Sequence, residues 1–335
     1  MTPSLSDRFA GCLLGQALGD ALGFVVEGYL PADCRSYVEG TLRTGQAGEA
    51  RRLPFAPGQY TDDTQLAREL LRSFVARRRF DPQEYAQRLA ALFYERKIVG
   101  EGRATALAAR QLLRGHSWEE SGTPAPAAGN GSAMRAGPLG LLFPGDPGGM
   151  VTAARQQAQI THRDPRCLAG AVTIAGAVAL AVQAEHLEVG RFVGQLYRWV
   201  LPVEEGFATH LLDLLHWITL PPESAVLPIS RAGIDPGGMD LWEGISPFVL
   251  GSVLWSLYSF LRTPADPWET LCTAIAVGGD VDTTAAMAGA ISGAFNGATA
   301  LPGDLLGRLH DRESWREAEL RELAQQAYQI VHGES

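Results

Sequence analysis

Two series of glycines at four-residue spacing constrain the fold of this chain more than any other feature. One series lies in an apolar, helix-forming segment near the beginning, and the other lies close to residue 290. Glycine inside a helix costs on the order of 1 kcal/mol relative to alanine, so glycines repeated on one face indicate that another helix crosses there very closely. We therefore predict two central helices in close contact. The two series are Gly11, Gly15, Gly19 and Gly23, and Gly289, Gly293 and Gly297.

The remaining periodicity predicts an all-α protein. Apolar residues recur every three to four positions in most segments, and few segments alternate with period two. Two stretches rich in proline and glycine, 28–60 and 221–247, are expected to be long loops; the second offers Met239, Leu241, Trp242 and Phe248 as apolar contacts. No fixed-period repeat or linker is evident, so we expect a single domain, 1–335. The predicted helices are 6–24, 62–79, 82–96, 103–115, 133–143, 148–160, 165–186, 190–200, 206–218, 246–262, 267–277, 281–296 and 313–331.

Two acidic segments each join a loop to a predicted helix. They are Thr61-Asp62-Asp63-Thr64 and Gly278-Gly279-Asp280-Val281-Asp282-Thr283-Thr284. Asp and Thr cap helix N-termini well, so either segment alone would indicate only a capped helix. Four clustered carboxylates, however, repel one another unless a cation lies among them, and all-oxygen ligands suit Mg²⁺, Mn²⁺ or Ca²⁺. We expect the two junctions to meet and to form a metal site that holds two ions.

Composition narrows the class of protein. The net charge of −9 disfavours nonspecific nucleic-acid binding. The uncharged segment 168–184 is long enough to consider as a membrane span, but its Ala, Val and Gly content suits a buried helix. The apolar segment 9–26 is interrupted by Gln16 and Asp20 and lacks a basic flank, so it is a poor signal peptide. The cysteines form no C-x-x-C pair and are expected to be reduced, which predicts a cytoplasmic protein. They are Cys12, Cys34, Cys167 and Cys272.

Small residues at two predicted helix starts are candidates for anion binding. The stretch Gly129 to Arg135 enters a predicted helix, where free backbone N–H groups favour a phosphate. Arg135 either adds charge to this cradle or pairs with a neighbouring carboxylate. Gly100 and Gly102, before a helix that contains Thr105, form a weaker motif of the same kind.

The acidic motifs, in this order and at this separation, resemble the ADP-ribosylglycohydrolase family. The similarity also covers the segments 11–27, 129–137 and 161–162, and runs from about Arg8 to about Gly297. It implies a single compact orthogonal multi-helix bundle with a metal site at helix N-termini. The implied activity is removal of ADP-ribose from a modified protein side chain, with two Mg²⁺ or Mn²⁺ ions as cofactors.

The resemblance assigns roles to individual residues. Glu27, seven residues after Asp20, is implied to lie at the metal site, whereas Asp20 itself is expected to be a structural or capping carboxylate. His162 is implied to line the ADP-ribose pocket as a binding residue. We hypothesise that Glu27, Asp62, Asp63 and Asp280 are catalytic, and that the metal ligands are Glu27, Thr61, Asp62, Asp63, Asp280, Asp282 and Thr283. The implied substrate-binding residues are Gly100, Gly102, Thr105, Gly129, Asn130, Gly131, Ser132, Met134, Arg135 and His162.

Several functional alternatives remain open at this point. The same ligands would serve a two-metal phosphoesterase acting on ADP-ribose or a nucleotide, and a binding protein without activity is a further alternative. Members of the family cleave arginine N-glycosides, serine O-glycosides or smaller ADP-ribosyl compounds. Two pairings are open for Asp164, with a guanidinium leaving group or with Arg163, and we favour a prokaryotic, arginine-directed enzyme. The partner is expected to be an ADP-ribosylated protein or a small ADP-ribosyl compound, and the protein is expected to be a monomer.

Overall fold

The computed structural model describes residues 2–234 and 242–333, and within these ranges it contains helices and no strands. The prediction of an all-α protein is therefore confirmed. The α-helices are α1 (Leu5–Phe24), α2 (Pro31–Tyr37), α3 (Asp62–Arg77), α4 (Pro82–Tyr94), α5 (Arg103–Leu113), α6 (Pro147–Gln159), α7 (Pro165–Ala181), α8 (Val189–Val200), α9 (Glu205–Trp217), α10 (Pro222–Arg231), α11 (Val249–Arg262), α12 (Pro267–Ala276), α13 (Val281–Asn296), α14 (Gly303–Leu306) and α15 (Glu317–His332).

The glycine series marks the crossing of α1 and α13, as predicted. A Cβ atom placed on Gly15 would lie 2.3 Å from the carbonyl oxygen of Gly289, and one on Gly11 would lie 2.2 Å from that of Gly293. Glycine at these positions is what allows the two backbones to touch. Both helices are buried along nearly their whole length. The crossing brings the end of α1, which leads to Glu27, next to the beginning of α13.

The apolar helices surround this crossing. One hydrophobic core cluster includes residues from Phe9 near the beginning of the chain to Ala327 near its end. Helix α7, from the segment that resembles a membrane span by composition, is buried on all sides from Cys167 to Val178. Within the described ranges, no helix is both long enough and apolar enough to cross a bilayer. The four cysteines are buried free thiols, which confirms that they are reduced and unpaired.

Three sequence predictions are corrected. The helix expected at 133–143 is replaced by two 3₁₀ turns, Asn130–Ser132 and Gly137–Leu141. Pro138 has no N–H to continue an α-helix there, and a Cβ on Gly140 would lie 2.3 Å from the Ala175 carbonyl oxygen of α7. The two expected loops contain α2 and α10, each with proline in its first turn, where a missing N–H leaves no bond unmade. Met239 and Leu241 lie outside the described residues.

Candidate metal and substrate site

The first acidic junction is held by a carboxylate from α1. Asp20 is fully buried and accepts hydrogen bonds from the backbone N–H groups and hydroxyls of Thr61 and Thr64, at 2.6–3.0 Å. These donors lie at the beginning of α3, where backbone N–H groups have no partner within the helix. The predicted capping role of Asp20 is confirmed. Its bonds fix the position of Asp62 and Asp63, which lie between the two threonines.

The second acidic junction depends on two glycines with positive φ. Gly278 and Gly279 have φ angles of 79° and 86°, a region that side chains other than glycine's rarely adopt. A Cβ on Gly279 would also lie 2.2 Å from the carbonyl oxygen of Ile245. The N–H of Asp280 donates to that same carbonyl at 2.8 Å, and the N–H of Gly28 donates to the Gly279 carbonyl at 2.8 Å. The loop therefore connects the end of α1, residue 245 and the beginning of α13.

The two junctions meet around Asp63. Its Oδ2 atom accepts from the Thr283 hydroxyl at 3.4 Å and lies 3.2 Å from the Thr61 hydroxyl, whose one proton is shared between Asp63 and the closer Asp20. One ligand atom each from Glu27, Asp280 and Asp282 lies within 4.8 Å of the other two. Sequence positions from three distant parts of the chain thus converge on one acidic cluster.

The electrostatics of the cluster suit a divalent cation. Burial raises the pKa of all four aspartates, and neighbouring carboxylates raise the pKa of Asp62, Asp63 and Asp282 further. None of the four forms an ion pair with a basic side chain in 2–234 or 242–333. The Oδ1 atom of Asp63 is buried and has no hydrogen-bond partner. A buried oxygen without a donor, among carboxylates that repel one another, fits Mg²⁺ or Mn²⁺.

Glu27 has a basic partner that sequence reasoning missed. Arg52 Nη1 lies 3.1 Å from Glu27 Oε2 and also donates to the backbone carbonyls of Phe24 and Glu27. Burial and then Asp280 raise the pKa of Glu27, whereas Arg52 lowers it. The Glu27 side chain remains 30% exposed, so it is the carboxylate of the cluster that solvent reaches most readily. Arg52 lies in a segment without periodicity, so no sequence signal marked it.

The glycine-rich stretch lies beside this cluster. Asn130 Nδ2 donates to Asp280 Oδ2 at 2.5 Å and to the Ser252 hydroxyl at 2.9 Å. A Cβ on Gly131 would lie 2.9 Å from His162 Cε1 and 3.3 Å from the hydroxyl of Thr105. A Cβ on Gly129 would lie 3.5 Å from His162 Nε2. The structure therefore brings this stretch, Thr105 and His162 together beside the acidic cluster.

The other small-residue motif reaches the first acidic junction. A Cβ on Gly100 would lie 3.2 Å from Asp62 Oδ1, and Gly100 has a positive φ of 74°. The backbone N–H of Gly102 donates to the Asp62 carboxylate and lowers its pKa. These two glycines therefore lie against a proposed metal ligand as well as near Thr105.

The side chains of three predicted binding residues point into the protein interior. The Ser132 hydroxyl donates to the Cys167 carbonyl at 3.0 Å, and Met134 is 5% exposed. Arg135 is fully buried and donates to Gln157 and Thr161 rather than to a carboxylate. Among the described residues Arg135 forms no ion pair with an acidic neighbour, the pairing considered from the sequence, and its role in binding substrate stays a prediction.

Asp164 is already paired within its own helix. Its carboxylate accepts from the backbone N–H of Arg166 at 2.9 Å and forms an ion pair with the Arg166 guanidinium at 2.7 Å. It caps the beginning of α7. The pairing with Arg163 considered from the sequence is wrong, and Asp164 is not free to bind a guanidinium leaving group.

Comparisons of this chain with a family model, with individual proteins and with a solved structure agree with one another. The sequence model of a family described as ADP-ribosylglycohydrolase matches residues 1–334. ADP-ribosylhydrolase ARH3 of Gallus gallus is 33% identical over 327 residues, which cover 88% of this chain and 87% of that protein. The ADP-ribosyl-[dinitrogen reductase] glycohydrolase of Rhodospirillum rubrum is 28% identical over 312 residues, 92% of each chain. A solved structure titled "ADP-ribosylglycohydrolase-related protein complex" superposes with a TM-score of 0.68 and 28% identity, over 98% of this chain and 99% of that one.

Proposed function

Because this chain belongs to the ADP-ribosylglycohydrolase family, we propose that it is a metal-dependent hydrolase that releases ADP-ribose from ADP-ribosylated protein side chains. One observation carries the proposal. The carboxylates of Glu27, Asp280 and Asp282 converge within 4.8 Å of one another. Beside them lies a glycine cradle, formed by Gly129 and Gly131, that faces His162.

The residues present fit two divalent ions. Those that would hold them are Glu27, Thr61, Asp62, Asp63, Asp280, Asp282 and Thr283, since all offer oxygen ligands at the two junctions. Bound divalent ions supply charge stabilisation, orient vicinal ribose hydroxyls and lower the pKa of a bound water. Asn130 orients the Asp280 carboxylate through its 2.5 Å hydrogen bond, and Thr61 and Thr283 orient that of Asp63.

Glu27 has the position and environment of a general base. Its Oε2 atom is held by Arg52, so its Oε1 atom would serve either as a movable metal ligand or as the acceptor of a proton from the attacking water. Burial and Asp280 raise the pKa of Glu27, and a raised carboxylate pKa favours proton transfer near neutral pH. Cleavage of a glycosidic bond passes through an oxocarbenium-like transition state, which negative side chains close to the sugar stabilise. The aspartates at the two junctions supply that charge.

The glycines allow the ligand backbone to approach closely. Gly129 and Gly131 have no side chain to occupy the space before His162, and Gly102 lies next to Thr105. Backbone N–H groups in such segments bind diphosphate without requiring a positive protein surface. This accords with a chain whose net charge is −9.

Membership of the family does not determine whether ADP-ribose is cleaved from arginine or from serine. Asp164, considered from the sequence as a partner for a guanidinium leaving group, has its carboxylate bound to Arg166. The contacts of Asp164 therefore do not support the favoured arginine linkage, and the experiment must compare linkages directly.

The deciding experiment measures products from two defined substrates. Peptides carrying ADP-ribose on arginine or on serine are incubated with the protein and Mg²⁺, Mn²⁺ or EDTA. We expect free ADP-ribose in the presence of metal and none with EDTA. Release of AMP, with ribose phosphate left on the peptide, would instead identify a two-metal phosphoesterase. If neither peptide yields product although ADP-ribose binds, the remaining alternatives are a binding protein and a hydrolase of small ADP-ribosyl compounds.

A further inference from the structure

Arg135 is a buried cation that forms no ion pair with any residue in 2–234 or 242–333. Its guanidinium bonds the side chain and carbonyl of Gln157 at 2.8 and 3.0 Å, and the hydroxyl of Thr161 at 2.8 Å. It also lies 5.7 Å from the centre of the Tyr85 ring, and its Nη1 atom is buried without a partner. Burying a charge without an ion pair is costly. A stabilising ion pair therefore does not account for Arg135, and its hydrogen bonds point to another role.

The directions of these hydrogen bonds determine a proton position. Arginine can only donate, so the Thr161 oxygen accepts from Arg135 Nη2. The same oxygen lies 2.7 Å from His162 Nδ1 and has no third partner among the described residues. The hydroxyl proton has no acceptor other than Nδ1 among the described residues, and a buried donor left unpaired is costly, so Thr161 donates to Nδ1. Nδ1 is then an acceptor, and the proton of a neutral imidazole must be on Nε2.

His162 is neutral in this environment. Burial and the charge of Arg135 lower the pKa of His162 to about 3, although Asp164 opposes the shift. The imidazole therefore carries a single ring proton at neutral pH. That leaves Nε2–H as its hydrogen-bond donor.

The Nε2 edge faces the glycine cradle. A Cβ on Gly129 would lie 3.5 Å from Nε2, and Nε2 makes no hydrogen bond to any residue that the structure describes. The backbone around His162 is fixed, because its N–H donates to Ala158 and the adjacent N–H of Arg163 donates to Thr123. The unpaired donor is consequently held in one direction.

We propose that Arg135 and Thr161 are positioning residues. Through the chain Arg135–Thr161–His162 they hold His162 in the Nε2–H tautomer, so that it donates a hydrogen bond to an oxygen of ADP-ribose over Gly129 and Gly131. Arg135 thus acts on substrate through two neighbours and does not touch it. The identity of the acceptor rests on the proposed function, whereas the tautomer is a property of the protein without ligand.

The first test is the tautomer of His162 in the free protein. Nitrogen NMR of the full chain with ¹⁵N-labelled histidine distinguishes a protonated from an unprotonated ring nitrogen, and the His162→Gln variant assigns the signal. We expect a protonated Nε2 and an unprotonated Nδ1. A protonated Nδ1 in the wild-type protein would overturn the inference, and this measurement needs no variant to fold other than the one used for assignment.

The second test compares hydroxyl variants by the same spectrum and by calorimetric binding of ADP-ribose. Thr161→Val should allow a mixture of tautomers and weaken binding about tenfold, the value of one neutral hydrogen bond. Thr161→Ser, which keeps the hydroxyl, should restore both. The matched control is Thr173→Val, because Thr173 is buried in α7 and its hydroxyl only donates to the Ala169 carbonyl.

Two outcomes separate this inference from the proposed function. If Thr161→Val keeps the wild-type tautomer and affinity, the positioning role is contradicted even in an active hydrolase. If the wild-type protein does not bind ADP-ribose, the proposed function fails, and the tautomer spectrum of Arg135→Gln, expected to be mixed, still decides the role of Arg135.

Discussion

The hydroxyl of Thr283 lies 3.4 Å from Asp63 Oδ2, although 220 positions separate the two residues in the chain. Each residue belongs to one of the two acidic junctions, at the beginnings of α3 and α13. The close crossing of α1 and α13 makes this contact possible, since Asp20 of α1 positions the first junction while Gly28 bonds the second. Metal binding should therefore depend both on the ligands and on the packing that brings them together.

Removal of one central carboxylate should abolish both metal binding and hydrolysis. Asp282→Asn is expected to lower activity by at least about a hundredfold, because loss of even an indirect partner of a metal ligand typically costs 10–100-fold. Mg²⁺ or Mn²⁺ should raise the melting temperature of the wild-type protein and not that of the variant. The control is Asp304→Asn, since Asp304 is exposed and is not one of the proposed metal ligands. Full activity of Asp282→Asn would contradict the ligand assignment.

The helix crossing should not tolerate a methyl group. Gly15→Ala places a carbon 2.3 Å from the Gly289 carbonyl oxygen, far inside van der Waals contact, so the helices must separate. We expect the free energy of unfolding to fall by at least about 3 kcal/mol, at the upper end of overpacking effects. Gly194→Ala in α8 is the matched control, because nothing lies within 4 Å of its Cβ position; it should stabilise by up to about 1 kcal/mol. Urea unfolding measures both.

The helix cap made by Asp20 should contribute more to the free energy of unfolding than an ordinary surface cap does. Asp20→Asn replaces one acceptor oxygen by a donor facing Thr61 and Thr64, so we expect a loss of about 2–4 kcal/mol in unfolding free energy. Asp146→Asn is the control, because exposed Asp146 caps α6 by a bond to Gly149 and asparagine caps equally well. Equal effects of the two substitutions on urea unfolding would show that burial adds nothing.

Acid should destabilise the protein through His162. Its pKa falls from 6.5 to about 3 on folding, so between these values the unfolded chain binds a proton that the folded protein does not. Stability is then lost as the pH decreases below 6.5, by about 2 kcal/mol at pH 5. His162→Gln should remove this part of the pH dependence, measured by urea unfolding at pH 7 and pH 5. Thr173→Val, which removes no titratable group, should keep the wild-type difference; an unchanged slope in His162→Gln would contradict a neutral His162.

The sequence predicted the elements of the site better than their orientation. The positions of α3 and α13 followed from periodicity after the acidic segments. The glycine series predicted the close crossing of α1 and α13. For Arg135, in contrast, the sequence left open whether it adds charge to an anion site or pairs with a carboxylate, and only the family resemblance implied substrate binding. The two 3₁₀ turns that replace the expected helix leave its side chain buried against Gln157 and Thr161. The direction in which a side chain leaves a turn depends on contacts with distant elements, such as the contact of Gly140 with α7. A local sequence pattern does not predict such contacts.

What the sequence determined by itself was local: which segments are helical, where carboxylates cap them, and where only glycine leaves room for another backbone. These properties depend on residues within a few turns of one another. The tertiary structure alone decided that Arg52 holds Glu27, that Asp164 is already bound to Arg166, and that Thr161 lies between Arg135 and His162. Such pairings are set by the directions of side chains from different elements within the packed protein, and these directions exist only after the chain has folded.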